Sequence, residues 1–243
     1  MASTDSNAWI FVSHSSGDLA AVRKLRNYLE EKGAAPLLFH LVALTEPEEF
    51  WPIIEREIVA RNFFLYCESS SAEQSEWVRR ERDAVARAAL TTPKRIGRVR
   101  VDGTDIAWAE VDAFLNATRV FLSYAQEDLD TVTRFIPALT GSGFQVWWDE
   151  VVQFRADVLA GLRGELAHAM QDGWVVAFVS KASVASALVR LEQELAHSLG
   201  ARIVPVLLDP VEPPAGLQGA APIEAYGDPE NAPARLVAEL LRR

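Results

Sequence analysis

Two glutamates stand at matching places in the two halves of this chain of 243 residues, each at the end of a motif that begins with serine. Ser75 precedes Trp77 and Glu81 in the first half, and Ser186 precedes Glu192 in the second. Trp77 and Glu81 are four residues apart, so a helix places them on one face. In a ligand site, a carboxylate held beside an aromatic ring can stabilise positive charge that forms during a reaction.

A purely structural interpretation of the same residues is also open. Residues 79–83 form a run of charges, which is usual for a solvated helix face, and Trp77 would then only cover the sheet. The second copy of the spacing favours a functional site. In that copy Leu188 replaces the aromatic ring, which weakens the case for Glu192, and Glu194 is an alternative carboxylate that falls out of register.

The elements around the first motif place it at the edge of a sheet. Residues 63–66 are apolar and predict a buried strand, and Ser71 with Gln74 fits a capping box that would open one helix running to Leu90. Residues 174–179 predict the matching strand of the second half. In open α/β sheets the carboxyl ends of the strands are where ligands bind.

Strands and helices alternate along the chain, which predicts parallel sheets with right-handed crossovers. The predicted strands are residues 9–12, 36–39, 63–66, 96–101, 119–122, 144–149, 174–179 and 203–208. The predicted helices are residues 19–33, 50–60, 71–90, 107–116, 129–139, 158–170, 186–199 and 236–241. Residues 40–47, 150–156 and 209–228 are predicted to be loops.

The two halves repeat each other. Residues 119–124 repeat residues 9–14, and Asp128 stands where Asp18 stood. Ser13 precedes Glu81 by 68 positions, and Ser123 precedes Glu192 by 69. We therefore predict two tandem doubly wound α/β domains, residues 1–116 and 117–243.

Composition limits the partners. The net charge of −10 argues against nucleic acid or an anionic membrane as the main partner, and no apolar run is long enough to span a bilayer. The polar N-terminus has no signal-peptide core and the chain has a single cysteine, so the cytoplasm is the expected compartment. Cys67 has no obvious histidine partner, and we expect a buried thiol.

The histidines do not form an evident metal site. His14 and His40 fall in predicted loops, and neither has a second ligand at metal spacing. His168 and His197 fall on predicted helices, where packing or surface roles are expected. No glycine-rich phosphate loop is present, so a hydride-transferring dinucleotide site is not supported. We expect no metal and no resident cofactor.

Several of these segments resemble the TIR (Toll/interleukin-1 receptor) domain family. Residues 10–15 and 120–124 look like its opening strand, residues 75–81 like its signature helix, and residues 143–150 like its second strand and the following loop. The resemblance covers most of the chain as two copies. It implies two flavodoxin-like, doubly wound parallel-sheet domains. A tandem without a receptor segment is similar to bacterial immune TIR proteins.

The resemblance also implies an activity. Enzymatic members of the family cleave the N-glycosidic bond of NAD+, and some cyclise the ADP-ribose product into a signal. By the motif, the catalytic glutamates would be Glu81 and Glu192, with NAD+ as substrate and not as cofactor. The substrate-binding candidates are residues of the strand-end loops and the motif: Ser13, His14, Ser75, Trp77, Ser123, Tyr124, Trp148 and Asp149.

The partners implied are NAD+, further copies of the chain through TIR–TIR contacts, and another TIR or effector protein. The first copy keeps Trp77 and Glu81, whereas the second keeps the better loop at Asp149 and Glu150. One hypothesis is that the first copy supplies the glutamate and the second the complementary loop. The alternative is a non-catalytic interaction protein, which the leucine at position 188 favours.

Overall fold

A computed structural model describes residues 2–3, 8–39, 50–102, 105–148, 173–217 and 221–242. The chain forms two compact units, one built mainly from Asn7–Leu115 and the other mainly from Asn116–Leu240. Among the described residues, no helix is long and apolar enough to cross a membrane. Outside these ranges lie the predicted helix at 158–170, the predicted loops at 40–47 and 150–156, and Asp149.

Each unit is an α/β sheet covered by helices. In chain order the strands are β1 (Ala2–Ser3), β2 (Ala8–Ser13), β3 (Ala34–Leu37), β4 (Phe63–Glu68), β5 (Arg95–Asp102), β6 (Asp105–Ile106), β7 (Arg119–Ser123), β8 (Gln145–Trp148), β9 (Trp174–Val179), β10 (Arg202–Leu207) and β11 (Ile223–Glu224). The helices are α1 (Leu19–Glu31), α2 (Trp51–Ala60), α3 (Ser70–Gln74), α4 (Glu76–Ala89), α5 (Trp108–Asn116), α6 (Leu129–Val132), α7 (Ile136–Gly141), α8 (Lys181–Ala185), α9 (Ala187–Ser198) and α10 (Ala232–Arg242).

Five strands follow the same order in the two sheets, and the second sheet has β1 as an additional edge strand. The first is β3-β2-β4-β5-β6, parallel except for the antiparallel pair of β5 and β6. The second is β1-β8-β7-β9-β10-β11, parallel except for the antiparallel pair of β1 and β8. In each sheet, the next strand along the chain lies on one side of the opening strand, and the strand after that lies on the other side. The predicted fold class, two tandem doubly wound domains with mainly parallel sheets, is confirmed.

The central strands are apolar because both of their faces are buried. In β9 all six residues are buried, and in β2 only Trp9 is exposed. Helices α2 and α4 pack against the first sheet through a cluster that includes Phe11, Ile54 and Phe64. The rings of Phe11 and Phe64 stack with their centroids 5.4 Å apart.

The segment predicted to be one helix, residues 71–90, forms two helices, α3 and α4. Ser75 has an extended backbone, with φ −78° and ψ 119°, and its hydroxyl accepts from the N–H of Val78. The N-cap of α3 is Ser69, not the Ser71 and Gln74 of the predicted capping box. Serines at 69 and 75 each cap a helix, and a residue in the extended region cannot continue one.

Three other predictions need correction. The predicted strand at 36–39 lies two residues earlier, at Ala34–Leu37. The predicted helix at 129–139 is interrupted between α6 and α7, and Pro137 lies in the first turn of α7, where a proline needs no backbone partner. The predicted loop at 209–228 contains the short strand β11, which extends the second sheet beside β10.

Candidate functional site

A serine and a glutamate form a buried pair in the first unit. Ser13 is the last residue of β2, and its hydroxyl donates to Oε2 of Glu81 at 2.6 Å. Ser13 is fully buried and Glu81 is 5% exposed. The pair joins the end of β2 to α4, which follows the neighbouring strand β4, and from these two strands the chain proceeds to opposite edges of the sheet. Ligands bind doubly wound sheets at that point.

The local sequence explains why Glu81 lies inside. Helix α4 carries Val78, Glu81, Ala84, Val85 and Ala88 on its buried face, at helical spacing. Glu81 therefore occupies a position where the pattern otherwise places an apolar side chain. A carboxyl group there is unfavourable unless it is hydrogen-bonded, and the Ser13 hydroxyl meets that need.

Burial changes the acidity of this carboxyl group. Desolvation raises the pKa of Glu81 from 4.5 to about 7, although the hydrogen bond from Ser13 opposes the rise. At neutral pH the side chain is thus divided between the acid and the carboxylate. A carboxyl group with a pKa near the working pH is typical of groups that act in catalysis.

The second unit repeats the pair. Ser123, the last residue of β7, donates to Oε2 of Glu192 at 2.6 Å. Ser123 is fully buried and Glu192 is 4% exposed. Glu194, the alternative carboxylate, is exposed, so the structure brings Glu192 and not Glu194 to the strand end. The pairing survives in the second copy although Leu188 has replaced the tryptophan.

Each unit contains a second serine–carboxylate pair, which the sequence did not predict. Ser69 donates to Oδ2 of Asp18 at 2.5 Å, and Ser180 donates to Oδ2 of Asp128 at 2.6 Å. Each serine also caps a helix, because Ser69 accepts from the N–H of Ala72 and Ser180 from that of Ser183. Burial raises the pKa of Asp128, and the bond from Ser180 opposes this rise.

These hydrogen bonds connect the segment that follows the opening strand (β2 or β7) to the helix that follows the neighbouring strand (β4 or β9). In the first unit Gly17 also approaches α3 closely, since a Cβ there would stand 2.6 Å from Oγ of Ser71. The repeated positions of Asp18 and Asp128 were visible in the sequence. Their serine partners could have been found from the similar separations, 51 and 52 residues.

Two further candidate binding residues, His14 and Tyr124, directly follow Ser13 and Ser123 in the sequence. His14 is half-buried, with Nδ1 3.2 Å from the carbonyl oxygen of Val12. Tyr124, at the matching place, is buried. Ser75 caps α4, so the structure gives its hydroxyl a partner within the helix. A role for these three in binding stays a prediction.

The tryptophan candidates are both half-buried. The Trp77 ring packs against the first core, 5.8 Å from the ring of Trp51. Trp148 lies at the end of β8, in register with Leu122 of β7. Trp77 thus lies one turn of α4 before Glu81, whereas the Glu81 side chain is turned to Ser13. A part in binding stays a prediction for Trp77, Trp148 and Asp149.

Cys67 is buried in β4, as expected. Burial strongly raises the pKa of its thiol, and the nearby carboxylates of Asp18 and Glu81 act in the same direction. The thiol is therefore neutral and unsuited to nucleophilic attack. In the part of the chain that is described, no three His, Cys, Asp or Glu side chains are grouped so that they could hold a metal ion.

Comparison with known proteins identifies a family and a similar solved structure. The family model described as the TIR domain matches residues 10–117 and 120–241. Among solved structures, the TIR domain of the Toll-related receptor TRR-2 from Hydra magnipapillata is similar, with 17% identity and a TM-score of 0.41. That match covers 51% of this chain and 98% of the receptor domain. A search of the curated proteins found no match.

Proposed function

The chain belongs to the TIR domain family, as two consecutive copies, and on that premise we propose that it hydrolyses NAD+ at the bond to nicotinamide. The observation that carries the proposal is the buried Ser13–Glu81 pair at the carboxyl end of the central strands, with a glutamate pKa of about 7. The biological setting proposed is bacterial immunity.

The proposed reaction gives each residue a role. The bond between ribose C1′ and the nicotinamide nitrogen breaks, and its electron pair leaves with neutral nicotinamide. The ribose is left with positive charge, as in glycoside cleavage. The Glu81 carboxylate stabilises this charge, and the Ser13 hydroxyl orients the carboxylate. Water then bonds to C1′ and releases a proton. If a nucleophile of the adenine ring takes the place of water, the product is cyclic.

The first copy is the proposed catalytic one. It combines the paired glutamate with Trp77 on the same helix, whereas the second copy combines its glutamate with Leu188. In this proposal Glu192 and Ser123 maintain the second domain, and a substrate-binding role for Trp148 and Asp149 stays a prediction. The proposed domains are residues 1–116 and 117–243, except that Ala2–Ser3 pair into the sheet of the second domain.

One observation favours a second function, a non-catalytic protein that works through TIR–TIR contacts. Glu81 and Glu192 are both almost completely buried, and both already hold a serine partner. Equal burial in two copies that differ at the tryptophan position is what a shared structural role would produce.

Product analysis separates the two functions. The purified protein is incubated with NAD+ at high protein concentration, and the products are resolved by chromatography. The proposed enzyme releases nicotinamide with either linear or cyclic ADP-ribose. Glu81→Gln keeps an acceptor for Ser13 and abolishes the release, while Glu192→Gln retains most of it. Assembly of the chain without any turnover would support the interaction protein.

A further inference from the structure

The amine of Lys94 closes the C-terminal end of α2. Lys94 lies directly before β5, and its Nζ donates to the backbone carbonyls of Val59 and of Arg61, the second at 2.7 Å. Val59 is in the last turn of α2 and Arg61 follows the helix, where carbonyl oxygens have no partner within the helix. The backbone N–H of Arg95 also donates to the carbonyl of Asn62 at 2.8 Å, which holds the start of β5 beside this helix end.

Two carbonyl acceptors match a neutral amine. An ammonium group has three N–H donors and no lone pair, whereas a neutral amine has two N–H donors and one lone pair. The bonds described for Lys94 use two donors. Neutral Lys94 can therefore keep both bonds to the end of α2, and its lone pair then points away from the two carbonyl oxygens.

The surroundings of this amine do not hold its positive charge. The carboxylate of α2 closest in sequence to Val59 is Glu57, which pairs with Arg56 and Arg61. Burial lowers the pKa of Lys94 to about 8, because it disfavours the charged form. At pH 7.5 about a quarter of the amine is therefore neutral, against about one part in a thousand for a lysine in water.

Small molecules in solution can reach this amine. Lys94 is half-buried, its partner residue Val59 is 50% exposed, and residues 90–92 just before it are exposed. The amine belongs to the first copy alone. Arg95 and Arg202 each pair with the first residue of the neighbouring strand, so Ala201 stands in the place of Lys94 in the second copy.

We propose that Lys94 is a modification site, at which the amine takes a small activated acyl group from an acyl phosphate or an acyl thioester. The Nζ lone pair forms the bond to the acyl carbon. The bond from that carbon to the phosphate oxygen or to the sulfur breaks, and the leaving group takes its electron pair. Nζ then loses one proton to water, and the product is a neutral amide.

The modification changes the end of α2. An amide nitrogen carries a single N–H, so acylated Lys94 can donate to only one of the two carbonyl oxygens and brings no charge. The site lies at the amino end of β5, whereas Ser13 and Glu81 lie at the carboxyl end of the parallel strands. The proposal therefore does not depend on the proposed reaction with NAD+.

The test measures how fast each lysine of the full chain is acetylated. The folded protein is incubated at pH 7.5 with limiting acetyl phosphate and, separately, with acetyl-CoA, and peptides are analysed by mass spectrometry. With at least one donor, Lys94 should react about tenfold faster than the exposed Lys24 and Lys181, because more of its amine is neutral. The donor that gives the larger preference identifies the source of the acyl group.

The matched control is the same protein unfolded in denaturant, in which the preference for Lys94 should disappear. Lys24→Arg is a second control, and it should leave the rate at Lys94 unchanged. Equal rates at Lys94 and Lys24 in the folded protein with both donors would overturn the proposal, as would a preference that persists after unfolding.

Hydrogen exchange tests the consequence for α2. In protein acetylated at Lys94, the backbone amides of residues 57–61 should exchange faster than in unmodified protein, because one bond to the helix end is lost. Peptides from α1, in the same unit, serve as the reference. Unchanged exchange at 57–61 after complete acetylation would show that the modification does not act on the helix.

Discussion

At the scale of single residues, the Ser13–Glu81 pair links stability to pH. The carboxyl group lies on the buried face of α4, and its pKa is raised to about 7 because burial disfavours the charged form. The folded protein therefore holds a proton between about pH 4.5 and 7 that the unfolded chain releases. The stability that this proton contributes is complete below pH 4.5 and is lost as the pH rises through 7.

Glu81→Gln should remove this dependence. Between about pH 4 and 9 the free energy of unfolding of the unmodified protein should fall by about 3 kcal/mol relative to that of the variant, because only the glutamate acquires a buried charge. Denaturant unfolding at a series of pH values measures the difference. Glu194→Gln, at an exposed position of the second copy, is the control. Parallel curves for unmodified protein and Glu81→Gln would contradict the assignment.

Part of this site could be predicted from residues alone. The similar separations of Ser13 from Glu81 and of Ser123 from Glu192 indicated the repeat, and all four were candidate residues, but the hydrogen bond within each pair was not predicted. The burial of both glutamates could not be predicted, because the charges of residues 79–83 obscure which side of α4 faces the core. Cζ of Arg80 lies 4.2 Å from the ring centroid of Trp51 and 4.6 Å from that of Trp77. These contacts depend on the packing of α2 against α4, which no local pattern encodes.

At the scale of elements, the capping serines have unequal roles. Ser69 both caps α3 and donates to the buried Asp18, whereas the bond described for the Ser75 hydroxyl is the cap of α4. Loss of the first hydroxyl removes a cap and leaves a buried carboxylate without one of its donors. Loss of the second removes only a cap.

Ser69→Ala should therefore destabilise the first domain more than Ser75→Ala. We expect about 2 kcal/mol for Ser69→Ala and about 1 kcal/mol for Ser75→Ala. Thermal or denaturant unfolding of the two variants side by side measures both values. An equal loss in the two variants would show that the bond to Asp18 contributes nothing to stability.

Element boundaries were the least predictable part of the fold. The apolar runs indicated every central strand, because a strand buried on both faces leaves an unmistakable composition. The break at Ser75 was missed, since a serine within a helical pattern can continue the helix or cap the next one. The requirement for glycine at position 97 of β5 could not be predicted either. A Cβ there would stand 2.1 Å from Cδ2 of Phe114, a residue distant in sequence.

At the scale of the whole molecule, the second sheet includes a strand from the start of the chain. Ala2 and Ser3 form β1, which pairs antiparallel with Trp148 and Trp147 of β8. The repeat predicted strands β7 to β10 but not β1, because two polar-flanked residues carry no strand pattern. In the first sheet the strand at the corresponding edge, β3, contains Pro36, and a proline at an edge discourages further pairing.

Deletion of residues 2–6 should uncover the edge of β8. The backbone amides of the Trp147–Trp148 segment that face β1 should then exchange their hydrogens faster, because antiparallel pairing to β1 no longer protects them. Hydrogen exchange followed by mass spectrometry reports this segment. Peptides from β9, which lies between β7 and β10, serve as the internal reference. Unchanged exchange in 147–148 would contradict the pairing.

The most direct test of the proposed activity is the rate of nicotinamide release from NAD+ as a function of pH. The working form of Glu81 is the carboxylate, so the rate should rise as the pH increases through about 7 and then level off. Glu81→Gln should lower the rate at least about 100-fold at every pH, and Glu192→Gln should keep both rate and profile. Turnover by Glu81→Gln as fast as by the unmodified protein, or no release by the unmodified protein at any concentration, would contradict the proposed activity.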